Sequence, residues 1–199
     1  MNTLKAEKRS MDIKAKKLRR EGFVTGNVFG REMEESVPVK MEKKDVESLL
    51  KISNKGSQIM LDIDGTKKNV LIKDVQFDPV KKQFNEIDFQ ALVSDEAVHS
   101  VAEIVLVDAE KVTTGVLEEH LEEVAFKALP KDLVDKIEVN VGDMHAGDTI
   151  RVKDLAIAKN PEVTLSTDPE ALVVSVTEVY ATADADEEAE GETAAATEE

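Results

Sequence analysis

The chain has 199 residues, enough for one large domain or two small ones, with 41% hydrophobic content, 4% aromatics, no Trp and no Cys. The absence of Cys excludes disulfides, thiolate metal sites and Cys nucleophiles, and it fits a reducing cytosol. The formal net charge of −16 is uneven: residues 1–93 carry 19 Lys and Arg against 15 Asp and Glu, and residues 94–199 carry 7 against 27.

The opening residues, "MNTLKAEKRSMDIKAKKLRR", contain no apolar signal core. No later run approaches the ~18–20 apolar residues that a membrane span requires. A soluble, non-secreted, cytoplasmic protein is expected. A short helix is predicted from Asp12 to Gly22, capped by Asp12 and stopped by the glycine. It carries "KAKKLRREG" (14–22), in which five of nine residues are Lys or Arg. Ile13 and Leu18 are too few apolar positions to anchor this helix alone, so it should lean on a sheet. "FVTGNVFG" (23–30) reads as a strand bounded by glycines. "SVPVKM" (36–41) reads as another, placed at an edge because of Pro38.

"KKDVESLLKISNKG" (43–56) is the clearest helix, with Val46, Leu49 and Leu50 at i, i+3, i+4. A hairpin follows: strands 59–63 and 69–75 flank Asp64-Gly65, a strong turn signal. Pro79 precedes a further strand at 84–93. The first 93 residues therefore predict a small antiparallel sheet or barrel carrying two helices. The charge balance changes sign near Ser94-Asp95, the candidate domain boundary.

Beyond it, strands are predicted at 98–107, 122–129, 137–141, 148–152 and 171–179, with turn clusters such as Thr113-Thr114-Gly115 between them. "PKDLVDK" (130–136) predicts a helical turn or two, opened by Pro130. Short strands at this spacing indicate a second, mainly β domain over 94–180. Residues 181–199 contain eight acids, no base and no large apolar side chain. Such a segment cannot offset the entropy of ordering and is expected to be disordered.

Signals for catalysis are weak. His99, His120 and His145 are scattered and share no metal-ligand spacing. "DIDG" (62–65) fails as a calcium loop, because the twelfth position from Asp62 is Lys73 rather than Glu. No enzyme activity, metal or cofactor is expected. The basic run points instead to a polyanion. Lys14, Lys16, Lys17, Arg19 and Arg20 would neutralise phosphates, and Arg can also reach base edges and sugar hydroxyls. So few aromatics argue against single-strand stacking and favour a structured RNA recognised by shape. A solvated helix face remains the plain alternative for the run.

"AKKLRREG" (15–22), "GNVFG" (26–30), "LIKDVQFDPVKK" (71–82) and "EIDF" (86–89) follow one another in the order and spacing of a known family. They are joined by "GVLEEHLEEVAFKALPKDLVDKIEVNV" (115–141) and "GDTIRVKDL" (147–155). The chain resembles the bacterial large-subunit ribosomal protein L-twenty-five family, in its long two-domain form known as the general stress protein Ctc. The resemblance implies a six-stranded N-terminal β-barrel that binds the loop E region of 5S rRNA. It also implies a second domain that touches other parts of the large subunit.

Carried over by position, the implied RNA contacts are Arg9, the basic run, Phe29, Gln76, Glu86 and Asp88. Three departures stand out. Glu86 replaces a His common in the family, Phe29 replaces a Tyr, and "SMDI" (10–13) stands where Gly-Lys-Gly is usual. Lys16 and Lys17 in place of Arg also lack the bidentate fork. Asp88 has two readings: an acceptor for a base amino group or ribose hydroxyl, or a strand residue bonded within the barrel. Gln76 is open in the same way. Two functions follow, a non-catalytic rRNA-binding component of the large subunit or a soluble stress or interaction factor using its acidic half. A hydrolase using the later carboxylates has no constellation behind it.

Overall fold

The computed structural model describes residues 2–112 and 115–178. The turn expected at Thr113-Thr114 and the acidic tail lie outside the described residues. Strand β1 (Thr3–Lys8) was not expected from the sequence. Its segment offers only Leu4 and Ala6 to the core, a weak alternation. Helix α1 (Ala15–Arg20) is shorter than the predicted one, and its N-cap position is Lys14. Asp12 does not cap it, because its carboxylate accepts from the Ser10 hydroxyl at 2.8 Å instead. Gly22, at φ +91°, supplies the left-handed stop as expected.

The remaining barrel elements are β2 (Phe23–Phe29), β3 (Val37–Glu42), α2 (Lys43–Leu50), β4 (Gln58–Ile63), β5 (Thr66–Asp78) and β6 (Gln83–Ala91). The Asp64-Gly65 turn has both residues at positive φ, 50° and 88°, as a two-residue hairpin turn demands. The six strands form a closed barrel in the order β1-β3-β2-β6-β5-β4. It is mixed rather than wholly antiparallel: β1 pairs with β4, and β2 with β6, in parallel. These pairings join strands more than fifty residues apart, beyond the reach of hairpin signals. Closure also removes the edge expected of β3, which has a neighbour on both sides. Pro38 is tolerated there as the second residue of its strand, just beyond the end of the β1 ladder.

Inward-facing Val28, Val39, Ile59, Leu61, Ile87 and Phe89 fill the barrel, and Val46 and Leu49 of α2 close over the same core. At Gly26 the β2 backbone comes so close to β6 that an added Cβ would clash with the Ile87 carbonyl oxygen. Gly26→Ala should therefore lower stability by about 1–3 kcal/mol, the usual cost of overpacking. Chemical denaturation of the variant against the parent measures it, and an unchanged midpoint would contradict this.

The later half is β-rich. β7 (Val98–Val107), β9 (Glu123–Ala128), β10 (Lys136–Asn140) and β12 (Thr164–Leu165) form one sheet in the order β10-β7-β9-β12. β8 (Val116–Glu119), β11 (Thr149–Arg151) and β13 (Leu172–Thr177) form a second, ordered β11-β13-β8. Both sheets contribute to a single core that includes Val124, Phe126, Val173 and Val174. The "PKDLVDK" segment makes a single 3-10 turn, Pro130–Asp132. β8 and β12 escaped sequence reading because they are short and carry one or two apolar residues each.

The loop between α2 and β4 meets the later half. The Ser57 hydroxyl bonds the Asp135 carboxylate at 3.1 Å, Lys55 pairs with Glu123 at 3.3 Å, and the Asn54 amide bonds Glu103. The Lys73 ammonium donates to the His99 carbonyl at 2.8 Å, and burial together with the nearby Lys55 charge lowers its pKa. This seam lies away from the basic run.

Candidate nucleic-acid interface

Helix α1 packs on the outside of β2. Leu18, 3% exposed, is its anchor and takes no part in the inner core of the barrel. With Leu18 facing the strand, Lys14, Lys16, Lys17 and Arg20 are left exposed and Arg19 half-buried. Lys17 reaches Glu21 at 3.9 Å, a loose pair between exposed side chains. Among the described residues the other four cations have no carboxylate within ion-pair distance. Arg9 joins this group from the end of β1: its guanidinium donates to the Ile13 carbonyl at 3.0 Å, ahead of α1. The Nε donors of both Arg9 and Arg19 are enclosed without a protein acceptor. The exposed cations Lys14, Lys16, Lys17 and Arg20 suit an anionic partner that supplies oxygen acceptors.

The other candidates lie on the adjoining outer face of β2, β6 and β5. Strand register sets Thr25 beside Glu86 and Asn27 beside Asp88. On the opposite flank of β6, Gln76 faces Glu86 and Asp74 faces Asp88. Because Ile87 and Phe89 point into the barrel, Glu86 and Asp88 alternate outward. Asp88 Oδ1 accepts from the Asn27 backbone N–H at 3.3 Å and from the Asn27 side-chain amide at 3.4 Å. The same amide reaches Glu86 Oε1 at 3.4 Å. Gln76 is exposed, and Phe29 is 37% exposed at the far end of β2.

The structure thus brings Gln76, Glu86 and Asp88 together. It sets α1 at one rim of this face and Phe29 at the other, about 20 Å apart at about 3.3 Å per strand residue. The histidines stay apart from it: His99 is exposed on β7, His120 bonds the Ser175 hydroxyl at 2.9 Å, and His145 sits in a loop. Among the described residues no group of three His, Asp or Glu is placed to hold a metal ion. Nor is any described helix long and apolar enough to cross a membrane.

The Ribosomal L25p family profile matches residues 4–89, and that of the ribosomal protein TL5 C-terminal domain matches residues 97–179. A large ribosomal subunit protein bL25 of Dictyoglomus thermophilum is 35% identical over 157 residues, covering 75% of this chain and 76% of its own length. The chain belongs to the bL25 family. The bL25 protein of Bacillus velezensis is 31% identical over 181 residues, 88% of each chain. That of Caldanaerobacter subterraneus is 29% identical over 196 residues, 96% of each. The L25p profile match covers the barrel segment, and the TL5 C-terminal match covers the later sheets.

In this bL25 chain the sequence reading passed over Asn27. Its amide spans Glu86 and Asp88, relieving part of the repulsion between two outward carboxylates. An Asn inside a strand is itself a weak signal, since the residue is depleted there. Its role depends on the β2–β6 register, which joins positions 61 residues apart. The sequence-level view of aromatics also changes. Only Phe89 and Phe126 of the six phenylalanines are fully buried. The other four lie on β2, β5 and β6: Phe23 and Phe29, then Phe77 and Phe84 in a tilted contact with ring centroids 5.0 Å apart. Lys40 sits over the Phe23 ring at 4.9 Å.

Proposed function

We propose that this bL25 protein is a non-catalytic component of the large ribosomal subunit whose barrel binds 5S rRNA at the loop E region. One observation carries the placement of the site: a helix with four cations unpaired among the described residues packs on β2, next to the strands that display Gln76, Glu86 and Asp88. In this reading Arg9, Lys14, Lys16, Lys17, Arg19 and Arg20 hold the sugar–phosphate backbone. Phe29 lies against a sugar or base, and Gln76, Glu86 and Asp88 address amino groups and 2′-hydroxyls across the shallow groove of the RNA helix. Glu86, where the family often has His, accepts rather than donates. The protein works in the cytoplasm on the ribosome, with no DNA or membrane partner.

The reading divides the chain into an RNA-binding barrel (1–93), a second domain (94–180) and an acidic tail (181–199). The second domain is too acidic to lie broadly on phosphate and faces other large-subunit components. The stress or interaction reading has no feature of the barrel to recommend it. Two experiments test the proposal. Ribosomes sedimented from a lysate at moderate salt should carry the protein with the large subunit. In gel shifts, residues 1–93 should bind 5S rRNA within a few-fold of the full chain, and residues 94–180 should not bind. Equal affinity in the two fragments would overturn the division of labour.

A further inference from the structure

We propose that the turn joining β5 to β6, Asp78 to Gln83, is a second RNA-binding element that grips the sugar–phosphate backbone of the duplex held by α1. The inference rests on the 5S rRNA reading and extends its interface to residues that reading does not use. Strand direction places the turn. Because β6 runs parallel to β2, with Thr25 beside Glu86, the start of β6 and the start of β2 lie at one rim of the barrel. Helix α1 enters β2 through Gly22 at this rim, and the β5–β6 turn leaves from it. Lys81 and Lys82 therefore stand at the same end of the molecule as the α1 cations, across the start of the face that carries Gln76 and Glu86.

The turn is built to hold its tip outward. Asp78 Oδ1 accepts from the backbone N–H groups of Val80 and Lys81, each at 3.1 Å. The Lys81 backbone bond is the largest cause holding the Asp78 carboxyl below the usual carboxylate range, aided by the Lys81 side chain. Lys82, at φ 49°, closes the turn in the left-handed region. Fixed in this way, Val80 is 91% exposed and Phe77 50% exposed, although Phe77 rests on Phe84. A protruding valine and phenylalanine flanked by two lysines match the surface of an RNA strand: the cations meet phosphates while the apolar groups cover ribose. The face leads into the turn across a bulge in the ladder, where Gln76 pairs with Glu86 and the next residue, Phe77, pairs with Phe84.

The test uses the full chain and two probes, 5S rRNA and an unrelated A-form RNA duplex, over a salt series. Lys81→Ala with Lys82→Ala should weaken binding to both probes about tenfold near 0.1 M salt. The log–log salt slope should become shallower by about two units. Val80→Ser should weaken 5S rRNA binding about fivefold with the slope unchanged, since it removes only apolar contact. Asp78→Asn keeps the acceptor for the turn but removes the acid beside Lys81, and should tighten binding slightly. Unchanged affinity and slope in the double Lys variant, with its unfolding temperature intact, would overturn the proposal. So would a loss of large-subunit association without a loss of RNA binding, which would make the tip a protein contact. A parent chain that binds the duplex but prefers 5S rRNA no more than it would sink the 5S reading alone, and the double Lys variant then decides the tip on the duplex. A parent that binds neither RNA overturns both.

Discussion

Replacing Lys17, Arg19 and Arg20 together by Ala is expected to weaken 5S rRNA binding by about 10²–10³-fold near 0.1 M salt and to flatten the salt slope by about three units. Each phosphate neutralised on a duplex contributes about −0.9 to that slope, so three lost contacts should be visible as a slope and not merely as an affinity. The helix itself should survive. Its attachment is Leu18, which the variant keeps, and Ala is the best helix former available. Little protein stability is at stake in the removed charges, because the Lys17–Glu21 pair is loose and exposed and the two arginines have no ion-pair partner among the described residues. Arg19 should matter most of the three, because its half-buried side chain is already held and loses the least freedom on binding. Filter binding across salt concentrations measures both quantities. A full-strength slope in the triple variant would show that α1 is a solvated face.

How legible all this was in the sequence depends on how local each feature is. Helix α2 and the β4–β5 hairpin were readable because an i, i+3, i+4 repeat and an Asp-Gly turn are complete within a dozen residues. The closed barrel with its two parallel pairs was not readable from pattern, since β1–β4 and β2–β6 are set by contacts across the whole segment. Pattern left a sheet or a barrel open, and the resemblance chose the barrel. The same division runs through the candidate site. The basic run announces itself, because binding a polyanion leaves a mark on composition. Asn27, Asp74 and the β5–β6 tip leave no such mark, since their significance comes from strand register alone. Sparse aromatics argued against a platform for stacking single-stranded bases. Composition counts phenylalanines but does not say that four of six escape full burial on three adjacent strands.

Asp88 is the residue where the two readings taken from sequence meet, and its two oxygens differ in their bonding. Oδ1 is bonded within the barrel to the Asn27 backbone and side chain. Oδ2 has no protein donor among the described residues and remains free to accept from RNA. Asp88→Asn is therefore an informative change. The amide oxygen should stay on the Asn27 N–H, which keeps the strand pairing and the fold. The NH₂ group then points outward, a donor where an acceptor stood. Specific 5S rRNA binding should fall by about 1–3 kcal/mol, because an amino group or 2′-hydroxyl of the RNA would face another donor. Binding to an unrelated duplex should rise slightly, since a negative charge has left the face. Asn27→Ala should lose part of the same energy by releasing the carboxylate it holds. The loss in the double variant should be smaller than the sum of the two, as for residues that act through one contact. If Asp88→Asn binds 5S rRNA as tightly as the parent with its unfolding midpoint unchanged, both oxygens serve the barrel. Recognition would then pass to Gln76, the exposed β5 residue that faces Glu86.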